Sequence, residues 1–382
     1  MTKVAVATTS QLAADGANEV AELGGNAVDC ALAAALFTMN TEPGVCALAG
    51  SAFITIWRPG EDPVTIDGNV AVPGHGLPDE ERGRAAPGVT LDYGGGITTL
   101  AGPGSVAVPG SLAAIEQAWQ HFGNARWSDL FVPVVRSTRE GFPLSNACHY
   151  YLGYSGEAIF GRSDDGYHAL HDEHGALRAA RSRIIVPHLS DSLATIAEEG
   201  ARVFYEGDIG QAIAGHIQDH GGALTLQDLA GFEAIERPSL QVRIGDWAIA
   251  SNPPPAVGGS ALAAMLLACS DLAHNRWTME ELDRLIRVQR AVLDFRRRRL
   301  DLTDDVGAEA AELLAQAGDG TLLSRWASAS TVHTSAVDEN GVACAVTASS
   351  GYGSGEMPAG TGLWLNNCLG ELELNRRGLD AG

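Results

Sequence analysis

The chain has 382 residues, 45% hydrophobic and 19% charged, with 46 glycines and 16 prolines. That is enough apolar material for a large core in one big domain or two modest ones. Its formal net charge of −22 excludes a general nucleic-acid or anionic-membrane binder, since either needs a basic face. The six cysteines, Cys30, Cys46, Cys148, Cys269, Cys344 and Cys368, are scattered in mostly apolar or small-residue contexts. They lack zinc-site spacing and the dense framework of small secreted domains, and read as reduced thiols of a cytoplasmic protein.

Met1-Thr2-Lys3 leads directly into strand-like Val4-Ala5-Val6-Ala7, with no secretory leader pattern. Apolar spacing predicts an amphipathic helix over Leu12 to Leu23, stopped by Gly24-Gly25. Asn26 caps a second helix, Ala27 to Met39, apolar nearly all round and therefore buried. Its most apolar run, Cys30 to Phe37, is too short to span a bilayer. Strands follow at Ser51 to Trp57 and Pro63 to Asp67, joined by a Pro-Gly turn. Residues 73 to 110, rich in Gly and Pro, read as loop, some of it lining a site. Helices are expected at Leu112 to Phe122, Trp127 to Glu140, Leu189 to Glu199 and Ile209 to Asp219. Strands are expected around Gln241 to Ser251, then helices at Ser260 to Cys269 and Met279 to Leu300. Strands, then helices, then strands again favour a single layered αβ domain over a doubly wound sheet.

A hairpin closes this series. Val332 to Val337 and Val342 to Thr347 flank Asp338-Glu339-Asn340-Gly341, a four-residue turn ending in glycine. With Val337 facing Val342, Thr331 falls opposite Ala348, one residue from Ser349. Threonine at the head of a strand is ordinary in itself. It becomes chemical if the Ser330–Thr331 bond is cut, because the freed α-amine titrates near pH 8 and serves as base to the hydroxyl beside it. His333 shares the strand face of Thr331, a position from which to assist the cut.

The ordered motifs carry more than the hairpin alone. Thr331-Val332-His333-Thr334-Ser335, Gly341, Val346-Thr347-Ala348-Ser349 and Tyr352-Gly353 are preceded by Gly24-Gly25-Asn26-Ala27-Val28-Asp29, Glu42-Pro43, Val108-Pro109-Gly110-Ser111, Phe204-Tyr205-Glu206-Gly207, Gly221-Gly222 and Pro253-Pro254-Pro255 with Gly258-Gly259. Leu365-Asn366-Asn367 follows. In this order, from residue 24 to residue 367, the chain resembles the γ-glutamyltranspeptidase family of N-terminal-nucleophile hydrolases.

The resemblance implies an α+β fold, the four-layer αββα sandwich of that superfamily, not all of whose C-terminal strands fall within this chain. It implies a precursor self-cleaved between Ser330 and Thr331, with 1–330 resembling the large subunit and 331–382 the start of the small one, the two pieces staying associated. Thr331 is then nucleophile and, through its amine, general base, and Ser349 stands where the family has a hydroxyl that bonds the nucleophile. The implied reaction is transfer of a γ-glutamyl or similar acyl group, through an acyl-enzyme, to water or an amine, as in glutathione metabolism. No metal or organic cofactor is implied, and no nucleic-acid or membrane partner.

Departures from the family pattern concern substrate. Where the family has an arginine for the substrate α-carboxylate, the matching run Asp67-Gly68-Asn69-Val70-Ala71-Val72-Pro73 has Asn69, leaving Arg82 or Arg84 to reach in if the loop folds back. Gly351 replaces an asparagine, and Cys368 and Glu371 follow the paired Asn366-Asn367, so the ammonium clamp thins to Glu371, with Asn367 kept as a substrate-binding residue. The family also continues with a Ser-Ser pair and a Gly-Gly oxyanion hole beyond the point where this sequence stops. The expectation is a piece of a longer protein, with an inactive relative as the alternative. A further alternative is an acylase-like enzyme of a non-glutamyl acyl amide, for example a short oxo-acyl amide such as oxamate.

Three other features read as surface. His168, His171 and His174, amid Asp164, Asp165, Asp172 and Glu173, suggest a polar loop before a metal site. Arg296 to Arg299 fit a solvated helix face or one meeting the acidic remainder. Gly94-Gly95-Gly96 lacks the lysine and helix start of a phosphate loop.

Overall fold

Ser10 accepts a hydrogen bond from the backbone of Ala13 and starts α1, Gln11–Glu22, whose buried residues are Ala13, Gly16, Ala17, Val20 and Ala21. Asn26 and Asp29 form a reciprocal capping box at the head of α2, Ala27–Thr41, and every residue of α2 is buried. A helix apolar on all sides needs partners on all sides. It has α1, the Trp127–Glu140 helix and the main sheet. The computed structural model describes residues 2–78, 84–93, 95–272, 277–319, 331–372 and 374–375.

The chain divides into two compact units. The first comprises Met1–Pro59, Ile66–Ile235 and Ser330–Gly382, the second Gly60–Thr65 and Glu236–Ala329. Strands β1 (Val4–Ala7), β2 (Ser51–Trp57), β3 (Val64–Gly68, in the first unit from Ile66 on), β4 (Val332–Asp338) and β5 (Ala343–Ser349) stand in the spatial order β1-β4-β5-β2-β3. β4 pairs antiparallel with β1, from Val4↔Asp338 to Ala7↔Ser335, and with β5, from Val332↔Ala348 to Val337↔Ala343. β5 in turn pairs with β2, from Ala343↔Trp57 to Ser349↔Ser51.

Strand alternation divides the sheet into two faces. Ala52, Ile54, Ile56, Val332, Thr334, Ala336, Cys344, Val346 and Ala348 are buried. Helix α2 packs on β4 and β5, and α3, Ser111–Phe122, packs on β2. Phe53, Thr55, His333, Ser335 and Thr347 occupy the other face, half-buried or exposed. Helices segregated to one face of an antiparallel sheet make this an α+β fold. Among the described residues the other sheets are two-stranded.

The second unit holds the hairpin Leu240–Ile244 with Trp247–Ser251, then helices Val257–Ala268, Met279–Arg298 and Val306–Asp319 around Ala264, Val292, Leu300 and Leu313. Its arginine run meets acids: Arg296 pairs with Asp301 at 3.0 Å, Arg298 with Asp294 at 3.0 Å and Arg299 with Glu309 at 2.8 Å.

Two expectations need correcting. The stretch 73–110 is not all loop, since Gly88–Leu91 pairs with Ile97–Leu100 and a 3-10 turn follows at Pro103–Ser105. The histidine run is only partly loop: His168 lies in the helix Asp164–Leu170, and His171 is buried and stacked on Tyr167. The Nδ1 atoms of His168 and His171 each meet a backbone carbonyl, of Asp164 and Tyr167 respectively.

Candidate active site

The hairpin register differs by one residue from the expected one, and the turn explains why. Asp338 Oδ1 accepts from the backbone N–H of Asn340 at 2.9 Å and of Val342 at 3.1 Å, while the Asp338 N–H donates to the Val342 carbonyl. Gly341 takes φ +84°, open to glycine at little cost. Val342 is thereby drawn into the loop, and Val337 pairs with Ala343. A one-residue slip changes every partner. Prolonging the ladder past Val332↔Ala348 sets Thr331 directly across from Ser349, not from Ala348.

Ser349 is held from several sides. Its hydroxyl accepts the Gly351 N–H at 3.2 Å, its carbonyl accepts the Ser51 hydroxyl at 3.2 Å, and a Cβ on Gly50 would stand 2.4 Å from that carbonyl. Glycine at 50 is what lets the two backbones approach. Thr331 itself is exposed, one residue ahead of β4. Ser330 and Arg82 lie outside the described residues, as does Gly94.

The same end of the sheet gathers Asn69 and Glu371. Gly68 ends β3 with its Cβ position 3.1 Å from the Ala52 carbonyl, so Asn69 emerges beside the start of β2. Asn69 is exposed, and its N–H donates to Asp67 at 3.0 Å. Arg84 is exposed, and its carbonyl packs against Gly104. Gly351, at φ +66°, leaves room for two side chains: a Cβ there would lie 2.3 Å from Asn367 Oδ1 and 3.0 Å from Glu371 Oε2. Glu371 therefore reaches the turn that follows Ser349.

Asn367 is fully buried, and its amide is committed to protein. Oδ1 accepts the Tyr352 N–H at 2.7 Å, and Nδ2 donates to Thr99 and to the Leu100 carbonyl, each at 3.0 Å. Asn366 works likewise, accepting from the Ala107 and Cys368 N–H groups and donating to the Ala49 and Ala107 carbonyls. The pair thus builds the site's frame. His333 lies on the open face with Nδ1 2.8 Å from Thr347 Oγ1 and Nε2 2.9 Å from Ser335 Oγ, so both ring nitrogens are occupied along the strands. Desolvation lowers its pKa, favouring the neutral ring, in which one nitrogen donates and the other accepts.

Sequence reasoning missed Tyr151, whose hydroxyl donates to the Tyr352 carbonyl at 3.0 Å, and Tyr93, edge-on to it. Tyrosines in a pattern without helical period gave no warning of either. Other motifs serve packing. Tyr205 of Phe204-Tyr205-Glu206-Gly207 donates its hydroxyl to the Pro109 carbonyl at 3.1 Å and accepts the Ala113 N–H at 3.0 Å. It thereby fixes Val108-Pro109-Gly110-Ser111, whose Gly110 and Ser111 N–H groups donate to the Gly50 carbonyl.

The antiparallel sheet backed by helices is the α+β fold of the N-terminal-nucleophile hydrolase superfamily, to which this chain belongs. Within that superfamily the chain is a member of the gamma-glutamyltranspeptidase family, whose family model matches residues 13–328. It is similar to glutathione hydrolase 2 of Arabidopsis thaliana, 30% identical over 69% of this chain and 43% of that protein. It is also similar to the glutathione hydrolase proenzyme of Escherichia coli, 24% identical over 96% of this chain and 65% of that protein. The chain spans between 43% and 65% of the length of these two relatives. In fold it resembles the cephalosporin acylase from Bacillus halodurans, with a TM-score of 0.75, 22% identity, and coverage of 96% of this chain and 70% of that one.

Proposed function

We propose that this protein is an autoprocessed threonine-nucleophile amidohydrolase or acyltransferase, with Thr331 as the residue acylated. The observation that supports this most is the position of Thr331 at the head of β4, in line with Ser349 across the ladder. After the Ser330–Thr331 peptide bond is broken, the α-amine of Thr331 takes the proton from its own Oγ1. The oxygen attacks the amide carbonyl of the substrate, the proton passes to the departing amine, and an ester to Thr331 remains. Water or an amine then takes the acyl group. Ser349 holds the nucleophile's oxygen in line, and His333, fixed by Thr347 and Ser335, acts on the cleavage step from the adjoining position of the strand.

In this reading 1–330 corresponds to the large subunit and 331 onward to the small one, and the pieces stay together through the ladders β4 makes with β1 and β5 makes with β2. Glu371 meets the ammonium of the acyl group. Asn69, with Arg82 or Arg84 reaching in, meets its anionic end. The six thiols support a reducing, cytoplasmic setting, since all are unpaired and most are buried.

The acyl group is γ-glutamyl or a close analogue. A second reading, a non-glutamyl acyl amide, is favoured by the neutral Asn69 where an arginine would hold a carboxylate. Mass analysis of the purified protein tests the shared claim. A polypeptide beginning at Thr331 is expected in the wild type and absent from Thr331→Ala, which also loses turnover. Retained turnover in that variant refutes the assignment. Rates on a γ-glutamyl anilide against glutaryl amides and oxamate separate the two readings.

A further inference from the structure

Helices Trp127–Glu140 and Leu189–Glu199 run antiparallel within the first unit. The Trp127 indole N–H, at the start of one, donates to the Ile196 carbonyl near the end of the other at 2.9 Å. Phe142, just past the first helix, pairs with Ile184, just ahead of the second. Between the two helices lies a groove of about 680 Å³. Phe131, Val132 and Val135 line it from the first helix, at the spacing that gathers side chains on one face, and Ala194 and Ala197 line it from the second. Packing within the unit accounts for Phe131, which is buried. It does not account for Val132, which is 44% exposed. A lone exposed valine is ordinary, but one set beside an apolar groove of this size marks a surface that another body covers.

The charges around the groove are sorted by end. Ser128 and Arg139 both line it, eleven residues apart, which is about 16 Å along the helix axis. At the far end Arg136 is held by Glu19, with N–O distances of 2.9 and 2.6 Å, and Arg183 donates to the Glu140 carbonyl at 3.1 Å. Arg139 is exposed there and has no ion pair among the described residues. Three guanidinium groups thus face the carboxylates of Glu19 and Glu140. At the Ser128 end stands Glu198, exposed and likewise without an ion pair among the described residues. One end carries a spare positive charge and the other a spare negative one.

This arrangement selects its occupant. A polyanion is turned away by a chain of net charge −22, and a partner of one sign is repelled at one end whichever sign it has. The occupant must present opposite charges about 16 Å apart with apolar surface between them. A second copy of the same helix pair does so when turned about a two-fold axis normal to the groove, because its Glu198 end then lies over the Arg139 end. Small Ala194 and Ala197 leave room for a ridge such as Val132 to enter. Most of so acidic a surface repels a copy of itself, whereas here three arginines balance three glutamates.

We propose that this groove is a self-association surface across which two copies of the chain pair about a two-fold axis. Val132 of each copy enters the groove of the other, and Arg139 of each meets Glu198 of the other. The pairing goes beyond the chemistry read at Thr331 and does not depend on it.

Sedimentation of the full-length protein from about 1 to 100 µM tests it, and a reversible monomer–dimer equilibrium is expected. Val132→Asp is expected to weaken the dimer by about tenfold or more, since it sets a charge in the apolar centre. Arg139→Glu and Glu198→Arg each bring like charges together twice, once on either side of the axis, and are each expected to weaken it by about tenfold. The double variant with both reversals restores opposite charges and is expected to return within about threefold of the wild type. Melting temperatures check that each variant is folded, and the exposed Arg139 and Glu198 carry the test if Val132→Asp is not. A chain that stays monomeric throughout, its groove left to some other occupant such as an apolar small molecule, overturns the proposal. So does a dimer indifferent to Val132→Asp or to both reversals, or a double variant no tighter than the single ones.

Discussion

At the level of single residues, the site depends on one glycine and one imidazole. Gly351 combines a left-handed backbone with two side-chain atoms where its Cβ would be, so Gly351→Ala must displace Asn367 or Glu371. Urea unfolding is expected to register a loss of about 2–4 kcal/mol, and an unchanged midpoint refutes the packing described. His333 makes a pH-dependent contribution. Its pKa is depressed in the folded protein by desolvation, so the native state prefers the neutral ring. The stability this brings is complete above the unfolded value near 6.5 and is lost as pH falls through the lower folded value. Melting temperatures of wild type and His333→Gln from pH 8 to pH 5 should converge toward the acid end. A gap that widens there contradicts the assignment.

Among elements, legibility followed how local the cause was. α2 could be read because a run such as Ala31-Leu32-Ala33-Ala34-Ala35-Leu36 after Asn26 admits little else, and the strand Ser51–Trp57 matched its reading residue for residue. The hairpin's existence was legible and its register was not. The deciding contacts belong to the Asp338 carboxylate, and nothing in the spacing of valines reports whether Val342 sits in strand or turn. Asn146–Ser155 escaped notice because its aromatics show no apolar face, although Ser145 stands at its head as a cap. The candidates Thr331, Ser349, Asn69 and Glu371 were named through motif order, and structure alone places Asn69 and Glu371 at the end of the sheet where Ser349 lies. The role of Asn367 as a strut was invisible, since a buried amide and a ligand-binding one look alike in sequence. The contact between the 204–207 segment and α3 offers a separate check. Tyr205→Phe leaves the Ala113 N–H and the Pro109 carbonyl without the hydroxyl between them, and a loss of about 1–3 kcal/mol is expected in denaturant titration.

For the molecule as a whole, burial of the thiols gives a simple readout. Cys30, Cys46, Cys148 and Cys344 are buried, Cys269 and Cys368 less so. Burial pushes the first three up to about 12, so little thiolate forms near neutral pH. Reaction of the native protein with a disulfide reagent is expected to reach Cys269 first, since burial pushes the thiol of Cys368 well up too, and denaturant to release the rest. Early modification of Cys46, located by peptide mapping, counts against the core described here.

The spatial order β1-β4-β5-β2-β3 also governs how the chain can be made. β1 and β2 are not neighbours: a hairpin synthesised some three hundred residues after β1 slides between them. Until that wedge arrives, β1 has nothing beside it and one flank of β2 is bare, a state that invites pairing with other chains. Expression of residues 1–330 alone should therefore yield aggregate, and co-expression of a peptide spanning the hairpin should restore solubility. The late wedge makes the segment bearing Thr331 the keystone of assembly.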